Sequence, residues 1–152
     1  MSQRNRRTRV GAYAWATYQG KVLLVKQALG PNTGKWSLPG GGLDFGEDAR
    51  TALVRELKEE CGLVVNPAEA KLVETLSAQT TWTHDSGEVD ELHWVGIIFA
   101  LELSDVNMST FCGAGDGESA GESKWFAREE IVYPELSPLV RSWVHGLSLA
   151  AQ

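Results

Sequence analysis

Cysteine is scarce. Cys61 and Cys112 are the two cysteines in 152 residues, too few for a disulfide framework or a zinc cluster, so a reducing, cytoplasmic setting is the expectation. Long hydrophobic runs are also missing. The longest strongly apolar stretch, Val95–Leu101, has seven residues and contains Gly96, whereas a membrane-spanning helix needs about 20; no membrane partner is expected. Positive charge is in deficit, with 14 Lys and Arg against 20 Asp and Glu and a formal net charge of −6. Sequence-independent binding to nucleic acid relies on basic residues that displace counterions. Nucleic acid is therefore not an expected partner, and a polyanion would be handled through bound cations. No repeat and no linker divides the chain. Hydrophobic residues at 43% and charged residues at 22% instead suit one globular domain with a real core.

The basic residues are unevenly spread. Arg4, Arg6, Arg7 and Arg9 suggest a mobile basic tail over residues 1–9, ahead of a single domain at 10–150. Ala14-Trp15-Ala16 imitates a signal cleavage site, but the apolar part before it is too short and carries Gly11 and Tyr13, so no signal peptide is expected.

Val10–Tyr18 and Lys21–Gln27 read as two strands joined at Gln19-Gly20. A loop over residues 28–36 leads through Ser37-Leu38-Pro39 to Gly40-Gly41-Gly42. A helix is expected from about Glu47 to Cys61, stopped by Gly62. Leu72–Trp82 and Glu91–Leu103 read as longer strands, with His84–Asp90 as a hairpin tip. Ser104–Ser123, rich in glycine, is expected to be a mobile loop, Lys124–Ala127 a short strand and Arg128–Val132 a helical turn. Leu136, Leu139, Val140, Trp143, Val144 and Leu147 recur at helical spacing and predict a closing helix over Glu135–Leu149. This order implies an α/β sandwich with a mixed sheet.

The chemistry concentrates between Trp36 and Leu63. Glu56, Glu59 and Glu60 stand at i, i+3 and i+4, so their side chains share one helix face. Like charges at this spacing destabilise a helix by about 0.2–0.5 kcal/mol per pair, and the helix C-terminus disfavours anions. Such a face is either solvated or binds cations, and hard oxygen ligands suit Mg²⁺ or Mn²⁺. Ala49 and Ala52 fall beside the trio, leaving space for a loop or ligand, while Val54, Leu57 and Cys61 fall opposite. The three glycines before the helix allow close backbone approach, with carbonyls for a cation or amides for a phosphate.

Gly41, five residues, Glu47, seven residues, Arg55-Glu56-Leu57, one residue, Glu59-Glu60, one residue, Gly62-Leu63 resembles the Nudix box at every defining position, and Trp36-Ser37-Leu38-Pro39-Gly40 resembles its usual entry. The resemblance implies a Nudix-type α/β/α sandwich with a mixed β-sheet. It also implies a metal-dependent hydrolase that cleaves the diphosphate linkage of a nucleoside diphosphate derivative, with Mg²⁺, or Mn²⁺, as cofactor. On this resemblance Glu56, Glu59, Glu60 and the Gly40 carbonyl hold metal. Glu47 and Arg55 form a bracing salt bridge, and Leu57 and Leu63 anchor the core. Cys61 is read as a buried apolar residue. The general base is Glu56 or an acidic residue on a distal loop, where Glu122 is preferred over Glu118 and Asp116.

Substrate signatures outside the box are absent, which leaves a nucleoside triphosphate or modified nucleotide as the default and a nucleotide sugar or ADP-ribose-type compound behind it. A nucleotide sensor without hydrolytic activity on the same scaffold is the alternative from another class. Trp82, Trp94, Tyr13, Trp15 and Phe45 are aromatics able to stack on a base, although most are expected to pack the core or sheet. No role is expected for His84, His93 or His145. A homodimer is the expected assembly.

Overall fold

The computed structural model describes residues 4–117, 120–132 and 135–150. Its centre is one seven-stranded mixed sheet built from β1 (Arg4–Tyr18), β2 (Lys21–Gln27), β3 (Trp36–Ser37), β4 (Gly40–Gly42), β5 (Lys71–Thr83), β6 (Val89–Glu102) and β7 (Ala120–Phe126). The main path runs β3-β2-β1-β6-β5, with β4 paired to β1 and β7 to β2. Strands β1 and β6 run parallel from the Arg4–Val89 pair to the Thr17–Glu102 pair. The β1–β2 and β5–β6 hairpins are antiparallel.

The residues of β1 explain why it is central. Gly11 to Ala16 are buried on both faces, as a strand with neighbours on both faces requires. Ala12, Ala14 and Ala16 face one core with Leu53, Leu57 and Cys61 of helix α1 (Ala49–Cys61). Tyr13 and Trp15 face another with Leu139, Val140 and Trp143 of helix α3 (Pro138–Ala150). Small residues on one side let α1 approach closely, and large ones on the other fill the space under α3. This is the expected sandwich of helices around a mixed sheet. Leu147 lies in α3, but its side chain falls outside the described residues.

Several elements differ from expectation. Arg4–Arg9, anticipated as a mobile tail, form the first six residues of β1 because β6 supplies both a ladder and carboxylates: Arg4 and Arg6 pair with Glu91, and Arg7 with Asp90. Residues 1–3 of that expected tail lie outside the described residues. Helix α1 begins at Ala49, not Glu47, because the Asp48 carboxylate caps it, accepting from the Thr51 amide at 3.0 Å. The stretch read as a loop holds a short helix, α2 (Asp105–Met108), capped by Ser104, and the buried Asn107 amide donates to the Val64 carbonyl at 3.0 Å. Strand β7 begins at Ala120 rather than Lys124 because it pairs with β2 as far as Gln27. Helix α3 starts at Pro138, and its first-turn proline lacks the N–H that a helix start leaves unpaired anyway.

Candidate active site

Helix α1 carries the acidic trio, and its two ends are fixed by sequence. Asp48 closes the first turn. Gly62 ends the last in the left-handed region at φ 69°, its N–H reaching the Leu57 and Lys58 carbonyls. Strand β4 lies beside the helix. Gly40 sits at φ 139°, and a Cβ there would stand 2.1 Å from the Ala12 carbonyl oxygen. A Cβ on Gly41 would stand 2.7 Å from the Glu56 carboxylate. The glycine triplet therefore brings bare backbone against the α1 carboxylates.

The structure separates the three glutamates. Glu60 is only 5% exposed, although it belongs to the face expected to meet solvent or cation. The buried stripe of α1 runs through Ala52, Leu53, Leu57, Glu60 and Cys61, so Ala52 lies in the core with Leu57 and Cys61 rather than opposite them, and Val54 is only partly buried. Glu60 receives the Gly40 N–H at 3.3 Å. Its carboxyl is held well above the usual range, first by burial, then by the charge of Glu56 and a carboxyl–carboxyl hydrogen bond to it, with Asp116 adding to the effect. Glu56 accepts from Arg55 Nη1 at 2.9 Å. Glu59 turns outward, its side chain 53% exposed and 3.4 Å from Arg55.

Arg55 ties loop to helix. Its Nε and Nη2 donate to the two Glu47 oxygens, each at 2.9 Å, and Nη2 also donates to the Gly42 carbonyl at 3.1 Å. The guanidinium holds the Glu47 carboxyl down to about 2. The structure thus brings Glu47 and Arg55 together behind the glycine strand.

Glu56, Glu60 and Gly40–Gly42 line a cavity of about 290 Å³ that extends past Tyr13 and Trp94 to the start of α3 and the 28–36 loop. Tyr13 is buried there, and burial together with the charges of Glu60 and Glu56 raises its hydroxyl above the usual phenol range, so it remains a donor. Of the other aromatics, Trp15 packs against Trp143, Trp82 stands over His84 on the hairpin, and Phe45 is fully exposed. His84 contacts Asp90 at 2.8 Å, while His93 lies on a separate shallow surface with Arg6 and Arg7.

Glu122 is exposed on β7 and does not line the cavity. Ser123 turns its hydroxyl to Cys61 Sγ at 3.3 Å, so the pleat directs Glu122 to the opposite face. Glu118 lies outside the described residues. The acidic group that this loop brings to Glu60 is Asp116, whose carboxylate also accepts from the Ala120 amide at 2.9 Å. Its place between Gly115 and Gly117 is the sequence feature that marks it. Cys61 is buried, and its thiol is pushed up to about 12.

Among the described residues, no three His, Cys, Asp or Glu side chains are already gathered as a metal set. Glu56 and Glu60 do fit a divalent cation: a half-buried and a buried carboxylate share one site, and Glu60 has no cationic partner among the described residues. Arg55 Nη1 donates to both Glu56 and Glu59, at 2.9 and 3.4 Å, and the exposed Glu59 contact is worth about 0–1 kcal/mol.

The profile of the NUDIX domain matches residues 5–147. This chain belongs to the NUDIX family. The NUDIX chain is 30% identical over 106 residues to an ADP-ribose pyrophosphatase of Methanocaldococcus jannaschii, a match covering 70% of this chain and 54% of that protein. It is 41% identical over 73 residues to an RNA pyrophosphohydrolase of Acidiphilium cryptum, covering 47% and 44%. These matches span about half the length of each relative. Among solved structures, the MutT NUDIX hydrolase from Burkholderia pseudomallei superposes with a TM-score of 0.67 at 27% identity, covering 91% of this chain and 97% of that one. No helix among the described residues is long and apolar enough to cross a membrane.

Proposed function

We propose that this NUDIX protein is a metal-dependent hydrolase of the diphosphate linkage in a nucleoside diphosphate derivative, with a nucleoside triphosphate, plain or modified, as the expected substrate. The observation that carries the proposal is the pairing of buried Glu60 with half-buried Glu56, facing the glycine strand inside a cavity. Glu56, Glu60 and the Gly40 carbonyl would hold Mg²⁺ or Mn²⁺, with Glu59 joining from the exposed side of the helix. Bound there, the cation supplies charge neutralisation for the diphosphate oxygens and acidifies a water. Arg55 and Glu47 keep Glu56 and the Gly42 carbonyl in register. Tyr13, protonated at neutral pH, offers a hydrogen bond to an anionic oxygen. Glu56 lines the cavity and is the supported candidate for taking the proton of the attacking water. Glu122, exposed on β7 and outside the cavity lining, is the less supported candidate for that role.

The relative named as an ADP-ribose pyrophosphatase favours a second substrate, ADP-ribose or a nucleotide sugar. Two free cysteines, Cys112 exposed and Cys61 buried, fit a reducing cytoplasm. The experiment is a panel of nucleoside triphosphates, oxidised nucleotides, nucleotide sugars and ADP-ribose with Mg²⁺ or Mn²⁺, read by release of nucleoside monophosphate or pyrophosphate. Metal-dependent release from at least one compound is expected. Tight nucleotide binding without release would indicate the sensor alternative.

A further inference from the structure

The charged side chains lining the cavity are both acidic, Glu56 and Glu60, yet the proposed substrate is an anion. The proposed divalent cation would offset part of that charge, and the protein's own positive charge lies at the rim. Arg55 is committed to Glu47, Glu56 and the Gly42 carbonyl. On the extended part of β1, Arg4 and Arg6 are taken by Glu91 and Arg7 by Asp90. Arg9 is different. It is exposed and has no carboxylate partner among the described residues. Its guanidinium lies over the Trp94 ring, 5.7 Å from the centroid, and its Nη2 is 3.8 Å from where a Cβ of Gly42 would be. Trp94 and Gly42 both line the cavity.

Strand register creates this position. Arg9 pairs with Trp94, and Trp94 with Ala78, so the three side chains project from one face of the sheet. Tyr13, four residues along β1, projects from the same face. The aromatic ring holds the guanidinium in place without neutralising it, leaving its N–H donors available. A planar cation with several fixed donors matches phosphate oxygens better than an ammonium does.

We propose that Arg9, held on Trp94, is a substrate-binding residue that grips the phosphate chain of the nucleotide at the cavity rim, on oxygens that the Glu56–Glu60 site leaves uncovered. The assignment rests on the hydrolase reading for the identity of the ligand. It makes β1, through a residue outside the box, a supplier of positive charge beside that of the proposed cation.

The test measures binding of guanosine 5′-(α,β-methylene)triphosphate with Mg²⁺ by calorimetry, beside guanosine, which has no phosphate. Arg9→Gln is expected to weaken the nucleotide at least about ten-fold, as loss of a charge-assisted phosphate contact implies, and to leave guanosine unchanged. Arg9→Lys should recover part of the loss. Arg7→Gln, whose parent guanidinium is held by Asp90, should remain within about two-fold of wild type by the same criterion. Thermal unfolding of each variant checks that the fold is kept. Nucleotide affinity of Arg9→Gln within two-fold of wild type, or equal losses in the Arg7 and Arg9 variants, overturns the assignment. If wild-type protein hydrolyses a panel nucleotide with an Arg9-independent KM, the rim contact fails and the hydrolase reading stands. If binding depends on Arg9 but no panel compound is cleaved, the contact stands and the hydrolase reading fails. Wild-type protein that does not bind the nucleotide overturns the contact as well.

Discussion

At the scale of single residues, Glu60 is the unusual one. A carboxyl with a folded-state pKa above its unfolded value binds more protons in the native state. Its protonated form is fully accommodated below the unfolded value, and stability is lost as pH rises through the folded value. Without metal, wild-type protein should therefore lose stability on going from pH 5 to neutrality more steeply than Glu60→Gln, which removes the charge and keeps the shape. Thermal melts across that range in EDTA measure this, and Mg²⁺ should raise the wild-type Tm while leaving the variant nearly unmoved. The same substitution should lower kcat at least about 100-fold, because metal-held charge stabilisation is lost. A variant with near-normal turnover, or one that Mg²⁺ stabilises as much as wild type, contradicts the ligand role. The spacing of Glu56, Glu59 and Glu60 made a shared helix face legible. It did not reveal that Glu60 is buried while Glu59 faces outward, because that division depends on where β4 and β1 cover the helix.

At the scale of elements, local chemistry was the reliable guide and long-range pairing was not. The β1–β2 hairpin, the long β5 and β6 strands and the end of α1 at Gly62 each follow from turn residues or periodicity close in sequence. The start of β1 was missed because Arg4–Arg9 has no apolar alternation, and its partners Asp90 and Glu91 lie more than 80 residues away. Helix α2 was missed because polar caps at Ser104 and Asn107 define it, and polar residues flanked by glycines also describe a loop. The box helix offers a test of local control. Gly62→Ala puts a Cβ at φ 69° and 2.5 Å from the Thr110 carbonyl oxygen. It should cost about 1–3 kcal/mol, the range for a strained left-handed residue, and loosen the Cys61 carbonyl contact to the Cys112 amide at 2.7 Å. Asp48→Ala should lower Tm at the other end of the helix by removing its cap. Denaturant melts of both variants compare the two ends, and a Gly62 variant as stable as wild type would mean that the segment after the helix shifts freely.

At the scale of the molecule, the sheet is covered unequally. Helix α1 and helix α3 bury its two faces around β1 and β6, but the outer edge of β5 carries no strand among the described residues. Most of its 13 residues are exposed, including Leu72, Val73 and Trp82, and its charged residues are Lys71 and Glu74. Long, lightly charged edges pair with other strands unless a protein blunts them. The homodimer expected from the sequence would give this edge a partner: two β5 strands alongside one another would extend the sheet across the pair. Light scattering after size exclusion should then give twice the chain mass, and Leu72→Lys with Val73→Lys should shift it to the monomer by placing like charges on the shared edge. These positions lie near the beginning of β5, while Ala78 and Thr80 of the cavity wall lie further along it, so nucleotide binding should survive in the monomeric variant. A wild-type monomer, or a dimer indifferent to both lysines, would assign the exposed edge a different role and leave the cavity chemistry of each subunit self-contained.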